Sequence, residues 1–199
     1  MRLFVALLPP EDVLAEIEEA VRARRREWPE LRWVHQELWH VTLAFLGNVD
    51  EEILPDLNDR LERAAARHPA RQVAFAGAGA FPSAGRASVF WVGMRAAAAD
   101  ERERPVLGRL ARSVAAGAER AGVAPDRKRF HPHLTLARCR ERTDLSRLVA
   151  ALETFAGRSW EADTVHLMRS HLGRKVRYES IASWPLRGDL RDRPAAEAD

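Results

Sequence analysis

The chain has 199 residues and a mass of 22.4 kDa, a length that fits one domain or two small lobes. Hydrophobic residues make up 46% and charged residues 31%, enough apolar material for a packed core, and no apolar run approaches the roughly 18 residues of a membrane span. A single cysteine, Cys139, excludes an intramolecular disulfide framework and a multi-cysteine zinc site, and a formal charge of +3 is too weak to argue a polyanionic partner by itself. Residues 3–8 read as a buried first strand. One charge, a short apolar run and Pro9-Pro10 do not make a signal peptide. Pro10-Glu11-Asp12 then opens a helix with Val13, Leu14, Ile17 and Val21 at helical spacing, continued by the charged run 22–26. Residues 31–34 are a short extended piece, 35–38 a turn, and 39–46 a strong strand ended by Gly47-Asn48. Asp50 is the expected N-cap of a helix lined by Ile53, Leu54, Leu57 and Leu61, with Pro55 in its first turns.

Strands are expected over 73–80 and 89–94, joined hairpin-fashion through Phe81-Pro82-Ser83-Ala84-Gly85-Arg86. Residues 95–104 are Ala-rich and charged and read as a linker. Val106, Leu107, Leu110 and Val114 begin a third long helix, and 130–137 is a further strong strand. Leu145, Leu148, Val149 and Leu152 mark a fourth helix, and 165–168 and 178–184 are late strands. Residues 1–187 thus read as a single domain, and 188–199 as a polar, disordered tail. Strands do not alternate strictly with helices, so a doubly wound parallel sheet is disfavoured. The expected fold is α+β: two pseudo-symmetric, interleaved lobes, each an antiparallel sheet with helices on its outer face and a cleft between the lobes.

One segment occurs twice. Trp39-His40-Val41-Thr42-Leu43-Ala44-Phe45-Leu46-Gly47 and Pro132-His133-Leu134-Thr135-Leu136-Ala137-Arg138 share His-x-Thr-Leu-Ala, in corresponding places of the two halves. In a strand, residues i and i+2 point to one face, so His40 and Thr42 act together, as do His133 and Thr135. Alternation sends Val41, Leu43 and Phe45, with Leu134 and Leu136, to the core. Two such strands brought together place two imidazoles and two hydroxyls around one cleft. That set suits acid–base chemistry at phosphorus: one neutral imidazole takes a proton from water, one imidazolium protonates a leaving oxygen, and the hydroxyls hold non-bridging oxygens. A strained cyclic phosphodiester needs no metal for this, and no cofactor is expected.

Around the pair, Arg138 has the right chemistry for phosphate, because guanidinium binds it bidentately. Strict alternation, however, sets Arg138 on the face opposite Thr135 unless the strand bulges. His131 shares the His133 face in register, and Tyr178, the only tyrosine, is placed to line the cleft from a late strand. Trp33, Trp39 and Trp91 read as core residues before stacking platforms. Cys139 is a bystander that could share the His133 face. A three-histidine metal site from His40, His131 and His133 lacks a carboxylate at ligand spacing and leaves the duplicated Thr without a role. A non-catalytic RNA-binding protein would use the arginines, which are all but Lys128 and Lys175 of the basic residues, yet it leaves the paired motif unexplained.

At these residues the chain resembles the 2H phosphoesterases, in particular the bacterial RNA 2′,3′-cyclic phosphodiesterases, the LigT-type 2′-5′ RNA ligases. The likeness runs through Met1-Arg2-Leu3-Phe4-Val5-Ala6-Leu7, Arg32-Trp33-Val34, Phe45-Leu46-Gly47, Gly79-Ala80-Phe81-Pro82, Trp91-Val92-Gly93 and Phe130-His131-Pro132-His133. It closes with Ser170-His171-Leu172-Gly173, Tyr178-Glu179 and Trp184-Pro185-Leu186. The resemblance implies hydrolysis of RNA 2′,3′-cyclic phosphate ends to 2′-phosphomonoesters, with 2′-5′ ligation as the reverse sense of the same chemistry. It implies His40 as proton donor, His133 as proton acceptor, and Thr42 and Thr135 on the phosphate. Two features depart from the family: His35-Gln36-Glu37-Leu38 stands where prolines are frequent, and Ser88 where an arginine is frequent, with Arg86 nearby. Relatives acting on other cyclic nucleotides or 2′-5′ linkages share the motif. A monomer acting in the cytoplasm on RNA or a cyclic nucleotide, away from any membrane, is the expectation.

Overall fold

The computed structural model describes residues 1–97, 106–126, 129–173 and 175–188. The chain begins with β1 (Arg2–Leu7), buried on both faces, and turns through Pro9-Pro10 into α1 (Glu11–Glu27). Val13, Ile17 and Val21 recur every fourth residue of α1 and are buried. Glu11 and Asp12 sit at its N-terminal end and Arg24, Arg25 and Arg26 in its last turn, each complementing the helix dipole. The short β2 (Arg32–Trp33) and a 3-10 turn (Gln36–Leu38) lead to β3 (Val41–Asn48). A second 3-10 turn, Glu51–Ile53, precedes α2 (Leu54–Ala66), whose Pro55 lies in the first turn, where its missing N–H costs no bond. The Asp50 carboxylate makes no capping hydrogen bond. The Ile53 N–H bonds instead to the Asp50 backbone carbonyl, so the expected cap is replaced by a tight turn.

β4 (Arg71–Phe81) and β5 (Ala87–Ala96) form the expected hairpin, and α3 (Val106–Arg120) follows. Arg95 and Ala96, expected in a linker, extend β5, and most of the remainder of that stretch lies outside the described residues. The strand expected over 130–137 is displaced: β6 is His133–Thr143. Its second half is polar and exposed, so hydrophobic patterning gave no sign of it. What makes it a strand is backbone pairing with β5 as far as Ala87 opposite Thr143. After α4 (Ser146–Ala150) comes a strand with no expectation behind it, β7 (Ala156–Ala162). Among the described residues β7 pairs only with β4, and it buries just Trp160 and Ala162, too few to register as an alternating pattern. β8 (Thr164–His171) and β9 (Arg177–Pro185) complete the fold. Of the tail expected over 188–199, Gly188 donates its N–H to the His68 carbonyl, and the rest lies outside the described residues.

All described strand pairs are antiparallel, in the order β7-β4-β5-β6-β3-β1-β8-β9, with β2 added to β6. The middle of the chain builds β7-β4-β5-β6, and both ends together build β3-β1-β8-β9. The halves meet at β6 and β3 through a single register pair, Val41 opposite Leu134. This junction is the pseudo-twofold centre. The helices cover one face and cross over: α1 packs against β7 and α4 against β4, whereas α2 packs against β9 and α3 against β3 and α2. The main core lies between that face and the helices. A smaller apolar cluster, Phe4, Ala6 and Met168 with Leu8 and Tyr178, lies on the opposite face, beside the junction.

Candidate active site

The Val41–Leu134 pair decides what lies next to what. Both residues are buried on the helix side, so their neighbours point to the other face. Carrying the register one residue each way sets His40 opposite Thr135 and Thr42 opposite His133. The duplicated motif therefore closes on itself: each histidine faces the threonine of the other copy. No intramolecular hydrogen bond ties up either threonine hydroxyl among the described residues.

Both histidines are held in the same way. His40 Nδ1 lies 2.8 Å from the Leu38 carbonyl and His133 Nδ1 lies 2.6 Å from the His131 carbonyl. A carbonyl only accepts, so each Nδ1 carries the proton and each Nε2 is left to the cleft. Nε2 is then a base when the ring is neutral and a donor when it is charged. Aromatic rings pack around each: Phe4 at 4.7 Å and Tyr178 edge-on at 5.2 Å from His40, Phe81 edge-on at 4.9 Å and Trp91 at 5.9 Å from His133. Burial in this setting lowers the His40 pKa to about 4, and the nearby His133 and Arg138 charges act in the same direction. The His133 pKa is likewise lowered, first by burial and then by His131 and Arg138, against the opposing pull of its carbonyl bond.

The expected place of Arg138 is corrected by a pair of bulges. In the β5–β6 ladder Phe90 faces Ala137 and Trp91 faces Thr135, which skips Leu136. In the β1–β3 ladder Val5 faces Ala44 and Ala6 faces Thr42, which skips Leu43. The leucine of each His-x-Thr-Leu-Ala is thus the extra residue of a bulge, and the alternation reverses beyond it. Leu136 and Ala137 are consecutively buried, as are Leu43 and Ala44. Arg138 therefore emerges on the histidine face, where its charge reaches both imidazoles. Among the described residues no carboxylate neutralises it. Cys139 goes the other way and packs against the core, not beside His133. The same reversal brings out Phe45, expected in the core: it is 51% exposed and its ring lies 6.2 Å from Phe4 on the cleft face. Phe45 and Arg138 are twofold counterparts, one apolar and one cationic.

The remaining expected residues divide. Tyr178 reaches the site, against His40 and Phe4. His131 precedes β6 and is not in register within it. Its carbonyl orients His133, and its ring lies against Trp91 at 4.6 Å. Trp39 is a core residue, but Trp91 lines the cleft face, where it lies across Gly79 so closely that any Cβ there would fall within its ring. Ser88 does not substitute for a phosphate-binding group: its hydroxyl donates to the Phe81 carbonyl. Among the described residues no three His, Cys, Asp or Glu side chains cluster as metal ligands. Nor is any described helix long and apolar enough to cross a membrane.

The half-buried imidazole of His40 carries a stability consequence. The folded-state pKa of His40 lies below its unfolded value of 6.5, so the unfolded chain takes up the proton first as pH falls. Stability is lost progressively between 6.5 and about 4, by up to about 3 kcal/mol from this group. Denaturant midpoints at neutral and acid pH should therefore differ less in His40→Gln than in wild type. Equal acid sensitivity of the two would refute the argument.

Two histidines, two hydroxyls and a guanidinium on one face of a curled antiparallel sheet define a phosphoester-processing enzyme of the two-histidine class. Comparison with known proteins agrees. The signature of the 2′-5′ RNA ligase superfamily matches residues 9–174, and the chain belongs to that family. It is 34% identical to a Thermus thermophilus RNA 2′,3′-cyclic phosphodiesterase, over 95% of this chain and 92% of that protein. A Geobacillus stearothermophilus protein of the same name is 32% identical over 78% of this chain, which spans about half (48%) of that relative's length. The fold superimposes on Escherichia coli LigT complexed with 3′-AMP with a TM-score of 0.68 and 29% identity, over 93% of this chain and 97% of the other.

Proposed function

We propose that this protein opens 2′,3′-cyclic phosphate ends of RNA to 2′-phosphomonoesters by acid–base catalysis between His40 and His133. The observation that carries the reading is the pair of imidazoles whose Nδ1 atoms are committed to backbone carbonyls, leaving two Nε2 atoms on one face with Thr42, Thr135 and Arg138. The names of the relatives support the choice of substrate. His133 Nε2 takes a proton from water as its oxygen attacks phosphorus. The P–O3′ bond breaks, and His40 Nε2–H protonates the departing 3′ oxygen. Thr42, Thr135 and Arg138 hold the non-bridging oxygens as charge builds on them. The nucleoside that carries the phosphate then lies on the His40 side, where Phe45 and Tyr178 present ring faces and edges to a base.

The test is hydrolysis of an RNA oligomer ending in a 2′,3′-cyclic phosphate, in excess EDTA, with the product identified. The expected product is the 2′-phosphomonoester. A 3′-phosphate would mean that the leaving oxygen is wrongly assigned, and activity lost with the chelator would mean that a metal is required.

The titrations predict the pH profile. The acceptor must be neutral, so kcat/KM falls as pH drops through the lowered His133 pKa. The donor must be charged, so kcat/KM falls as pH rises past the His40 pKa of about 4. The maximum of kcat/KM is thus expected below pH 6.5. The bound phosphate anion stabilises both imidazolium forms, so kcat, which reports the complex, peaks at higher pH than kcat/KM. A kcat/KM maximum above 6.5, or coincident profiles, would contradict this account.

A further inference from the structure

We propose that a trough beside His133 is the subsite for a nucleoside bearing a free 5′-hydroxyl, the acceptor when the enzyme forms a 2′-5′ phosphodiester. The inference rests on the two-histidine reading above and deepens it. The trough has a volume of about 290 Å³ and lies on the cleft face of the β7-β4-β5-β6 half. Ala76, Trp91, Gly93, His131 and Pro132 line it, with the exposed Arg95 at its rim. Gly93 sits directly across from His133 and Trp91 across from Thr135, so the space begins one strand away from the proton acceptor.

In-line displacement at phosphorus fixes what can occupy that side. The leaving O3′ and its ribose lie toward His40, so the attacking oxygen enters from His133. Water needs no further room there. A 5′-hydroxyl brings a ribose and a base with it, and the trough is the adjoining open space. Its size is at the small end of ligand sites, which suits one nucleoside. The Trp91 and His131 rings, with centroids 4.6 Å apart, form an aromatic wall against which a base can pack. Trp91, Gly93 and Arg95 alternate along one face of β5, so the guanidinium lies farther along the trough, where the acceptor's 3′-phosphate would pass. The step balances without a co-reactant. The O5′–P bond forms, the P–O3′ bond breaks, the 5′-hydroxyl proton goes to His133 Nε2, and O3′ takes a proton from His40.

The experiment follows hydrolysis of adenosine 2′,3′-cyclic phosphate and its transfer to a 5′-hydroxyl RNA dinucleotide in the same reaction. Ala76→Leu fills the trough, and Arg95→Glu reverses the rim charge at an exposed position that leaves the core untouched. In each variant the acceptor concentration that half-saturates transfer should rise about tenfold. Hydrolysis of the mononucleotide should stay within about twofold of wild type. Unchanged acceptor saturation in Arg95→Glu, or transfer and hydrolysis falling together, would overturn the proposal. So would variants that weaken only the hydrolysis of longer cyclic-phosphate RNAs, because the trough would then hold the donor's own upstream nucleotide. Wild-type hydrolysis without any transfer would sink this inference alone. Absence of wild-type hydrolysis of both this mononucleotide and the cyclic-phosphate RNA oligomer would sink the two-histidine reading with it.

Discussion

Alanine at His133 or at His40 is expected to slow cleavage of a 2′,3′-cyclic phosphate-ended RNA by about 10²–10⁴-fold, the range for loss of one general acid or base. The double variant should be little worse than the weaker single one. In the proposed mechanism the two groups act in one concerted proton relay, and once either is missing the other has no partner step to assist. KM should move less than kcat, because proton transfer is realised in the transition state and not in substrate binding. His40 also fills space against Phe4 and Tyr178, so an alanine there opens a gap on the cleft face. His40→Gln, which keeps most of that volume, separates the two effects: it should retain the stability of wild type and lose the turnover. Single-turnover kinetics on purified, thermally matched variants makes the check. A residual rate within tenfold of wild type for either alanine variant would remove that histidine from the mechanism.

Arg138→Ala is expected to lower kcat/KM by about 10²–10³-fold, as when one preorganised donor to a developing oxyanion is removed. The guanidinium should matter more than either threonine hydroxyl, whose neutral hydrogen bond is intrinsically weaker than a charge-assisted one. Arg138→Lys should recover only part of the loss, because an ammonium cannot offer the planar fork. A second readout distinguishes a phosphate contact from a merely structural role. Arg138 holds both imidazole pKa values down, so its removal should shift the kcat/KM profile to higher pH along both limbs. Loss of activity with an unmoved profile would mean that the guanidinium does not face the histidines.

The histidine pair and its shared face were legible in the sequence because they depend only on local rules. His-x-Thr at two-residue spacing shares a face in any strand, and its recurrence argued for a twofold arrangement before any pairing was known. Helix α1 was equally legible from Val13, Ile17 and Val21, because burial against one surface imposes helical spacing on the chain itself. From the sequence alone Tyr178 is one candidate for lining the cleft, without a reason to prefer it. The reason is its edge against His40, a contact between residues 138 positions apart in the chain.

What pairing alone controls was not legible. Strand β7 hides because one row of hydrogen bonds and two buried side chains suffice at that position, and neither leaves an alternating pattern. Alternation alone sends Phe45 to the core and, unless the strand bulges, Arg138 to the face opposite Thr135; whether it bulges is a property of two strands in register. The extra residue, Leu43 or Leu136, is an ordinary apolar residue in its own sequence and becomes a bulge only against β1 or β5.

The sequence by itself determined the residue types of the site, their pairing as His-x-Thr, and an α+β chain with two similar halves. Local geometry decides those features, and each residue carries it along the chain. The tertiary structure alone decided that the two copies meet through Val41 and Leu134, so that each histidine faces the other copy's threonine. It also decided that twin bulges bring Arg138 and Phe45 into the cleft and that burial lowers both imidazole pKa values. Register, bulge and burial are properties of strands packed against one another, and no stretch of the chain specifies them until its partners are in place.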